Sequence, residues 1–224
     1  MNNRKIYNAL AGNYDLRQTN PATKLLKKRE ERLIKKFAFG KVLDLGCGTG
    51  EHLSNGFIGI DSSEKILEIA SKSHSKLLQG DIESLPIKAG SIDTVLCMYS
   101  TLNMVEFQKA VKEMGRVLKK NGKAIISVTT IHDQSKNLRG DKKIKKFRIE
   151  NEWMKTYLFD KAELAGLFEK NGFRLGHFET LFGLVKARWG DFQPFSSKEK
   201  ALLMLEKLAS GKPRVYLAVF EKTV

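Results

Sequence analysis

Cysteine is scarce in this chain: Cys47 and Cys97 are the only two among 224 residues. Both fall in apolar, strand-like segments, which suits reduced thiols and excludes a disulfide framework. Long apolar runs are missing too. No stretch approaches the roughly 18–20 residues of a membrane span. Met1-Asn2-Asn3-Arg4-Lys5 leads into no apolar segment of the kind a secretory leader needs. These absences lead us to expect a cytoplasmic protein. No His/Cys group has zinc spacing and no carboxylate set suits magnesium, so no metal is expected. Internal repeats and low-complexity linkers are also lacking. What is present is an ordinary globular composition, 42% hydrophobic, which excludes disordered and fibrous classes. A chain of this length buries roughly 70–75% of its unfolded surface and needs no staple.

Acids are in deficit, 25 against 40 Lys+Arg, for a net charge of +15. The excess is uneven. Residues 1–40 carry +7, residues 41–130 only +1, residues 131–158 carry +4 and residues 159–224 carry +3. Thirty of the forty cations are Lys, and such surfaces often serve solubility alone.

Residues 20–37 read as a helix, with Ala22, Leu25, Leu26, Leu33 and Phe37 on one face. Short apolar runs at 41–45, 57–60, 76–79 and 91–98 read as strands. Ser62 or Ser63 caps a helix bearing Ile66, Leu67 and Ala70. A strongly periodic helix spans 105–119, stopped by Asn121-Gly122, and a fifth strand follows at 124–128. The pattern breaks at 130–157. It resumes with Asp160-x-x-Glu163, which has the form of a capping box. Ser196-x-x-Glu199 has the same form and opens a helix through Leu208, and a last strand covers 215–220. Strands that alternate with helices, and are apolar on both faces, predict a parallel sheet covered on both sides. Ligands on such sheets bind beyond the carboxyl ends of the strands.

Three of the first four strands deliver a notable residue at that end: Gly46, Asp61 and Asp81. The first opens the loop Gly46-Cys47-Gly48-Thr49-Gly50. Glycines there permit left-handed backbone and close approach of a ligand, or simply a tight turn. Asp61, at the next strand end, can accept hydrogen bonds from both hydroxyls of a ribose. The dinucleotide fingerprint places its third glycine where this chain has Glu51, whose carboxylate repels a pyrophosphate. A nucleoside without phosphates fits better.

These residues carry a resemblance. Residues 41–129 resemble the class I S-adenosylmethionine-dependent methyltransferases, in the ubiquinone/menaquinone-type branch. Val42 to Gly50 matches the glycine motif, Asp61 the ribose acid and Gly80-Asp81-Ile82 the adenine position. Leu85-Pro86 with Ser91 to Val95, and Arg116 to Lys119 before Asn121-Gly122-Lys123, resemble the entries to the fourth and fifth strands. Outside that core, Ala11 to Asp15 resembles the branch's lid segment, and Tyr157 to Phe159 with Glu163-Leu164 and Gly172-Phe173 its last helix and sixth strand. The resemblance implies a Rossmann-like α/β/α sandwich. Its seven-stranded sheet would be mostly parallel, with an antiparallel last strand. Residues 1–37 would form a helical lid on a domain of residues 38–224, with a basic insertion near 130–157 and a helical one near 192–210.

The resemblance further implies S-adenosylmethionine as cofactor. Asp44, Gly46, Cys47, Gly48 and Gly50 would surround its methionine part, with Cys97 close by. Asp61 and Ser62 would hold the ribose, Asp81 and Ile82 the adenine. Tyr14 would close over the carboxylate end or merely pack. Two departures stand out. Glu51 to Asn55 is short for the family's first helix, a form shared by relatives that methylate tRNA wobble uridines. The histidine pair that many relatives carry after the fourth strand is replaced by Cys97-Met98-Tyr99-Ser100.

Methyl transfer from a sulfonium needs in-line approach, and positioning supplies up to about 7–11 kcal/mol in well-oriented systems. A base is needed only if the acceptor keeps its proton. His132 is the histidine expected at the substrate face, and Tyr99 is a further weak candidate for catalysis. Tyr99 and Asn103 would line the acceptor pocket. The acceptor is expected to be a small molecule. The alternative is tRNA, held by the basic N-terminal flank and the cations of 136–148 interleaved with Phe147, Trp153 and Tyr157. A non-catalytic S-adenosylmethionine-binding protein is a third reading, disfavoured by the intact loop and acids.

Overall fold

The computed structural model describes residues 3–15, 21–132, 139–149, 152–181 and 212–224. Helix α1 (Asn3–Leu10) and helix α2 (Pro21–Phe37) precede β1 (Val42–Leu45) and β2 (Ile58–Asp61). Then come α3 (Glu64–Ala70), β3 (Leu77–Gln79), β4 (Ile92–Cys97), α4 (Phe107–Val117) and β5 (Leu118–Thr129). Strands β6 (Arg139–Gly140), β7 (Ile144–Ile149) and β8 (Glu152–Tyr157) follow. Last are α5 (Lys161–Glu169), β9 (Phe173–Leu181) and β10 (Val215–Lys222).

Seven strands form one sheet in the order β3-β2-β1-β4-β5-β10-β9. Strands β1 to β5 pair in parallel, and β10 runs antiparallel to both β5 and β9. The strand order reverses direction between β1 and β4, the switch point at which open α/β sheets bind ligands. Alternation along each strand splits the apolar residues between two layers. Leu43, Leu45, Val95 and Ile126 pack with Ala110, Val111 and Met114 of α4 and with Leu164 and Phe168 of α5. Val42, Leu96 and Ile125 pack with Ala22, Leu26 and Leu33 of α2. This is the expected three-layer Rossmann-like α/β/α sandwich.

The helix starts follow their caps. Ser63 Oγ accepts from Ile66 N at 3.3 Å, and Asp160 Oδ1 accepts from Glu163 N at 2.8 Å. The periodic helix expected at 105–119 is shorter, because the chain leaves helical geometry at Leu118, which already pairs with Ile92 of β4. The helix opened by Ser196 lies outside the described residues.

The irregular stretch at 130–157 holds a second sheet, order β6-β7-β8, antiparallel throughout. Its alternation is real but masked in the sequence by charge. Ile144, Lys146 and Arg148 are exposed, as are Trp153 and Lys155 across the ladder, whereas Met154 and Thr156 are buried. The inner face packs on α1, where Met154 meets Ile6 and Leu10, with Phe147 and Met104 alongside. No helix among the described residues is long and apolar enough to cross a membrane.

Candidate active site

A cleft of about 590 Å³ opens past the carboxyl ends of β1 to β4. Its floor is the glycine loop. Gly46 N and Cys47 N both donate to Ile60 O, at 2.8 and 3.0 Å, so the chain folds back over β2 immediately after β1. Gly46 sits at φ +67°, and a Cβ there would stand 2.5 Å from Thr101 Cγ2, so only glycine serves. Asp61, ending β2, is fixed by the loop and by α3. Its Oδ2 accepts from Gly48 N at 3.0 Å and its Oδ1 from Ser63 N at 2.9 Å. Burial raises its pKa, against the pull of these backbone donors. Asp81 follows β3 and sits in a tight turn, with Oδ1 accepting from Glu83 N at 2.9 Å.

Asp44 lies beneath the loop, 2% exposed. Burial pushes its carboxyl up to about 7, with Glu30 and Asp61 adding to the rise and His52 opposing it. The Cys47 and Cys97 thiols and the Tyr14 phenol are likewise pushed up by burial, which makes all three inert as anions.

The tip of β4 holds the strained part of the site. Tyr99 (φ +50°) and Ser100 (φ +61°) are both left-handed without being glycine. Their conformation is pinned. Tyr99 N donates to Glu30 Oε1 at 3.3 Å, and Ser100 N donates to Ser127 O at 3.2 Å. Glu30, wholly buried on α2, also accepts from Ser127 Oγ and, through Oε2, from His52 Nε2 at 2.9 Å. One carboxylate thus joins α2, the loop after β1 and the ends of β4 and β5. Burial disfavours charge on His52, but the Glu30 bond outweighs it and the imidazole pKa is raised. The His52 ring stacks on Tyr99 with centroids 5.2 Å apart. Burial, with Glu30 and Glu51, drives the Tyr99 phenol up as well.

The cleft gathers Tyr14, Asp44, Gly46, Cys47, Gly48, Asp61, Ser62, Asp81, Ile82 and Tyr99 of the residues the sequence singled out. Four others fall outside its lining. Gly50 (φ +94°) turns away, and a Cβ there would meet the His74 ring at 2.5 Å, so packing explains this glycine. Cys97 is fully buried in the core beneath α4. Asn103 has its amide committed: Nδ2 donates to Thr129 O at 2.8 Å and to Tyr157 O, and Oδ1 accepts from Thr129 N at 3.0 Å. It is a bracket between β5 and β8, with no group free for a substrate. His132 lies beyond the lining, and burial with the Lys212 and Lys142 charges lowers its pKa. The histidine in the cleft is His52.

Sequence reasoning passed over Glu30, Glu51, His52 and Thr101. A signal existed for Glu30. It stands four residues after Leu26 and three before Leu33, a carboxylate on the apolar stripe of its own helix.

Known proteins resemble this chain in sequence and in fold. The family described as "Methyltransferase domain" matches residues 43–126. An uncharacterized protein of Methanocaldococcus jannaschii is 32% identical over 193 residues, which is 77% of this chain and 76% of that one. A demethylmenaquinone methyltransferase of Staphylococcus carnosus is 27% identical over 215 residues, 82% of this chain and 89% of the relative. Among solved structures, a Thermotoga maritima protein is described as an S-adenosylmethionine-dependent methyltransferase, possibly acting on histamine nitrogen. It superposes with a TM-score of 0.65 at 22% identity, over 98% of this chain and 99% of its own.

Proposed function

The chain belongs to the class I S-adenosylmethionine-dependent methyltransferases, and from that premise we propose how its residues divide the work. S-Adenosylmethionine brings a methyl group on a positively charged sulfur. Asp61 accepts both ribose hydroxyls. Each of its oxygens already holds one backbone donor and keeps a lone pair for the cleft. Asp81 takes the adenine amino group, and the Ile82 backbone rests on the ring. Asp44 and the backbone of Gly46 to Gly48 surround the methionine part. Tyr14 and α1, whose Asn3, Arg4 and Tyr7 line the same cleft, cover it as a lid. The observation that carries this reading is the meeting of the glycine turn, Asp61 and Asp81 at the β1/β4 switch point.

The acceptor enters beside Met98, Tyr99, Thr101 and Met104, which also line the cleft. Partial enclosure under α1 favours a small molecule, as does kinship with proteins named for a quinone substrate. The chain's part is to hold that acceptor in line and keep water out. One observation favours RNA as a second reading. The β-ladder register sets Arg139 opposite Lys146, and Lys146 opposite Lys155, in one exposed row beside Arg148 and Trp153. Like charges placed directly across a sheet repel, and a phosphate backbone would relieve them.

Labelled-methyl transfer into total tRNA, run beside a small-molecule extract, separates the two. Label in the small-molecule fraction is the expected result. Label in tRNA, with binding that falls steeply as salt rises, selects the second reading. Failure to bind S-adenosylhomocysteine would refute the placement of the cofactor in this cleft.

A further inference from the structure

Helix α1 turns two stripes toward two neighbours. Ile6 and Leu10, one turn apart, are buried against Met154 of the second sheet. Arg4 and Asn8, also one turn apart, lie on the start of α3. Arg4 Nη2 reaches Glu64 Oε2 at 2.6 Å, with both side chains about half exposed. Asn8 is engaged more fully. Its Oδ1 accepts from Ser63 Oγ at 2.6 Å and from Lys65 N at 3.4 Å, and its Nδ2 donates to Glu64 Oε1 at 3.3 Å. A backbone N–H only donates and a carboxylate only accepts, so both ends of this amide are fixed.

Ser63 is where the contact bears on the site. The residue is fully buried. Its hydroxyl gives its hydrogen to Asn8 and accepts from Ile66 N at 3.3 Å. Its backbone N–H donates to Asp61 Oδ1 at 2.9 Å. A single residue therefore caps α3, orients the proposed ribose acid and receives α1. Asn8 itself is outside the cleft lining, whereas Asn3, Arg4 and Tyr7 are part of it, so α1 borders the way out for a ligand lying on Asp61. The two fastenings of α1 differ in kind. Apolar side chains resist transfer to water. Partly exposed polar groups exchange a protein partner for water at little net cost. The side toward α3 is the one that yields, and the seam with Met154 is the one that stays.

We propose that Asn8 is the latch of this lid, a positioning residue that touches no ligand, holds α1 down on Ser63 and so sets how long a nucleoside stays on Asp61. The proposal rests on the cofactor reading above and deepens it.

Surface plasmon resonance on the immobilised full chain, with S-adenosylhomocysteine as analyte, separates association from release. Asn8→Leu nearly keeps the size of the side chain and removes all of its hydrogen bonds. Leucine also favours a helix more than asparagine does, so α1 itself is not weakened and the melting temperature should hold. Release should quicken about tenfold, with association within about twofold of the parent. Lys5→Ala is the control. It removes the exposed ion pair with Glu152, 3.2 Å long, on the other side of α1. Both rates should then stay within about twofold of the parent. Asn8→Asp combined with Glu64→Gln exchanges amide and carboxylate without changing the length of either side chain. The acceptor for Ser63 and Lys65 is kept and the bond between positions 8 and 64 reverses its sense. This pair should bring release back to within about threefold of the parent. Unchanged release in Asn8→Leu, a loss of affinity carried by association instead, equal quickening in Lys5→Ala, or no recovery in the double variant overturns the proposal. A parent that binds no S-adenosylhomocysteine overturns the cofactor reading and the latch with it. A parent that binds it, and loses it on Asp61→Ala, keeps the cofactor reading whatever the latch variants do.

Discussion

The cleft and the three-stranded sheet outside it carry opposite kinds of side chain. Asp44, Glu51, Asp61, Asp81 and Glu83 line the cleft, whereas Arg139, Lys146, Arg148 and Lys155 stand on the sheet's outer face. Met154, on the inner face of that sheet, meets α1, whose Asn3, Arg4 and Tyr7 line the cleft, so the two regions are a layer apart. A net charge of +15 therefore describes the outside of this protein and not its working interior. The same contrast runs along the chain. Residues 41–130, which supply most of the cleft, carry +1, and the excess lies in the flanks. The proposed donor site and the basic outer face thus lie in different segments, so each can be tested without the other.

The sharpest break in that comparison comes from Asp61. Asp61→Ala removes an anchor of the glycine loop and the proposed ribose acceptor together, and should weaken S-adenosylhomocysteine at least about a hundredfold by calorimetry. Next is Asn103, which ties β5 to β8. Asn103→Ala strands partners in both and should cost about 2–4 kcal/mol in chemical denaturation. The affinity of the folded fraction for the nucleoside should be unchanged. A variant that folds normally but loses acceptor turnover would restore Asn103 to the substrate site.

Asp44 sharpens the charge side of the comparison. Its carboxyl rises from the ordinary 3.8 to about 7 on folding, chiefly through burial. The folded chain thus holds a proton that the unfolded chain releases, and the free protein should lose stability as pH climbs from about 4 to about 7. A cationic ligand lowers that pKa. Binding of S-adenosylmethionine near pH 6.5 should therefore release up to about one proton, measured by calorimetry in buffers of different ionisation enthalpy. Asp44→Asn should abolish the release and flatten the pH dependence of melting. The smallest effect belongs to the outer face. Lys146→Glu places an acid between Arg139 and Lys155 and should stabilise by about 0.2–1 kcal/mol per pair, with no change in nucleoside binding. A loss of stability would mean that the row of cations is not under repulsion.

The fold and the meeting of the glycine turn with Asp61 and Asp81 in one cleft were legible because both are local in sequence. The glycine loop announces its turn within five residues, and Asp61 and Asp81 each sit at a strand end. Ser63 and Asp160 cap their helices as their spacing implied. What escaped depends on contacts between distant segments. Glu30 reaches Ser127 across 97 positions and Tyr99 across 69, and no periodicity encodes such a meeting. His52 was passed over for His132 because a position after a strand was weighed above a position beside the glycine turn. The second sheet was missed because cations fill its outer positions, so alternation of exposure was not alternation of hydropathy. Asn103 has a pocket-like address after β4, but its buried amide is fully paired inside the protein.

Glu30 has a consequence for the history of the chain. It accepts from an imidazole, a hydroxyl and a backbone amide contributed by three separate segments. Losing the acid leaves those donors stranded, and losing one donor leaves a buried acid short of support. Single replacements on either side are thus disfavoured steps. Among diverging descendants, Glu30, His52 and Ser127 should be inherited as a set or exchanged as a set, even where the surface around them has been rewritten.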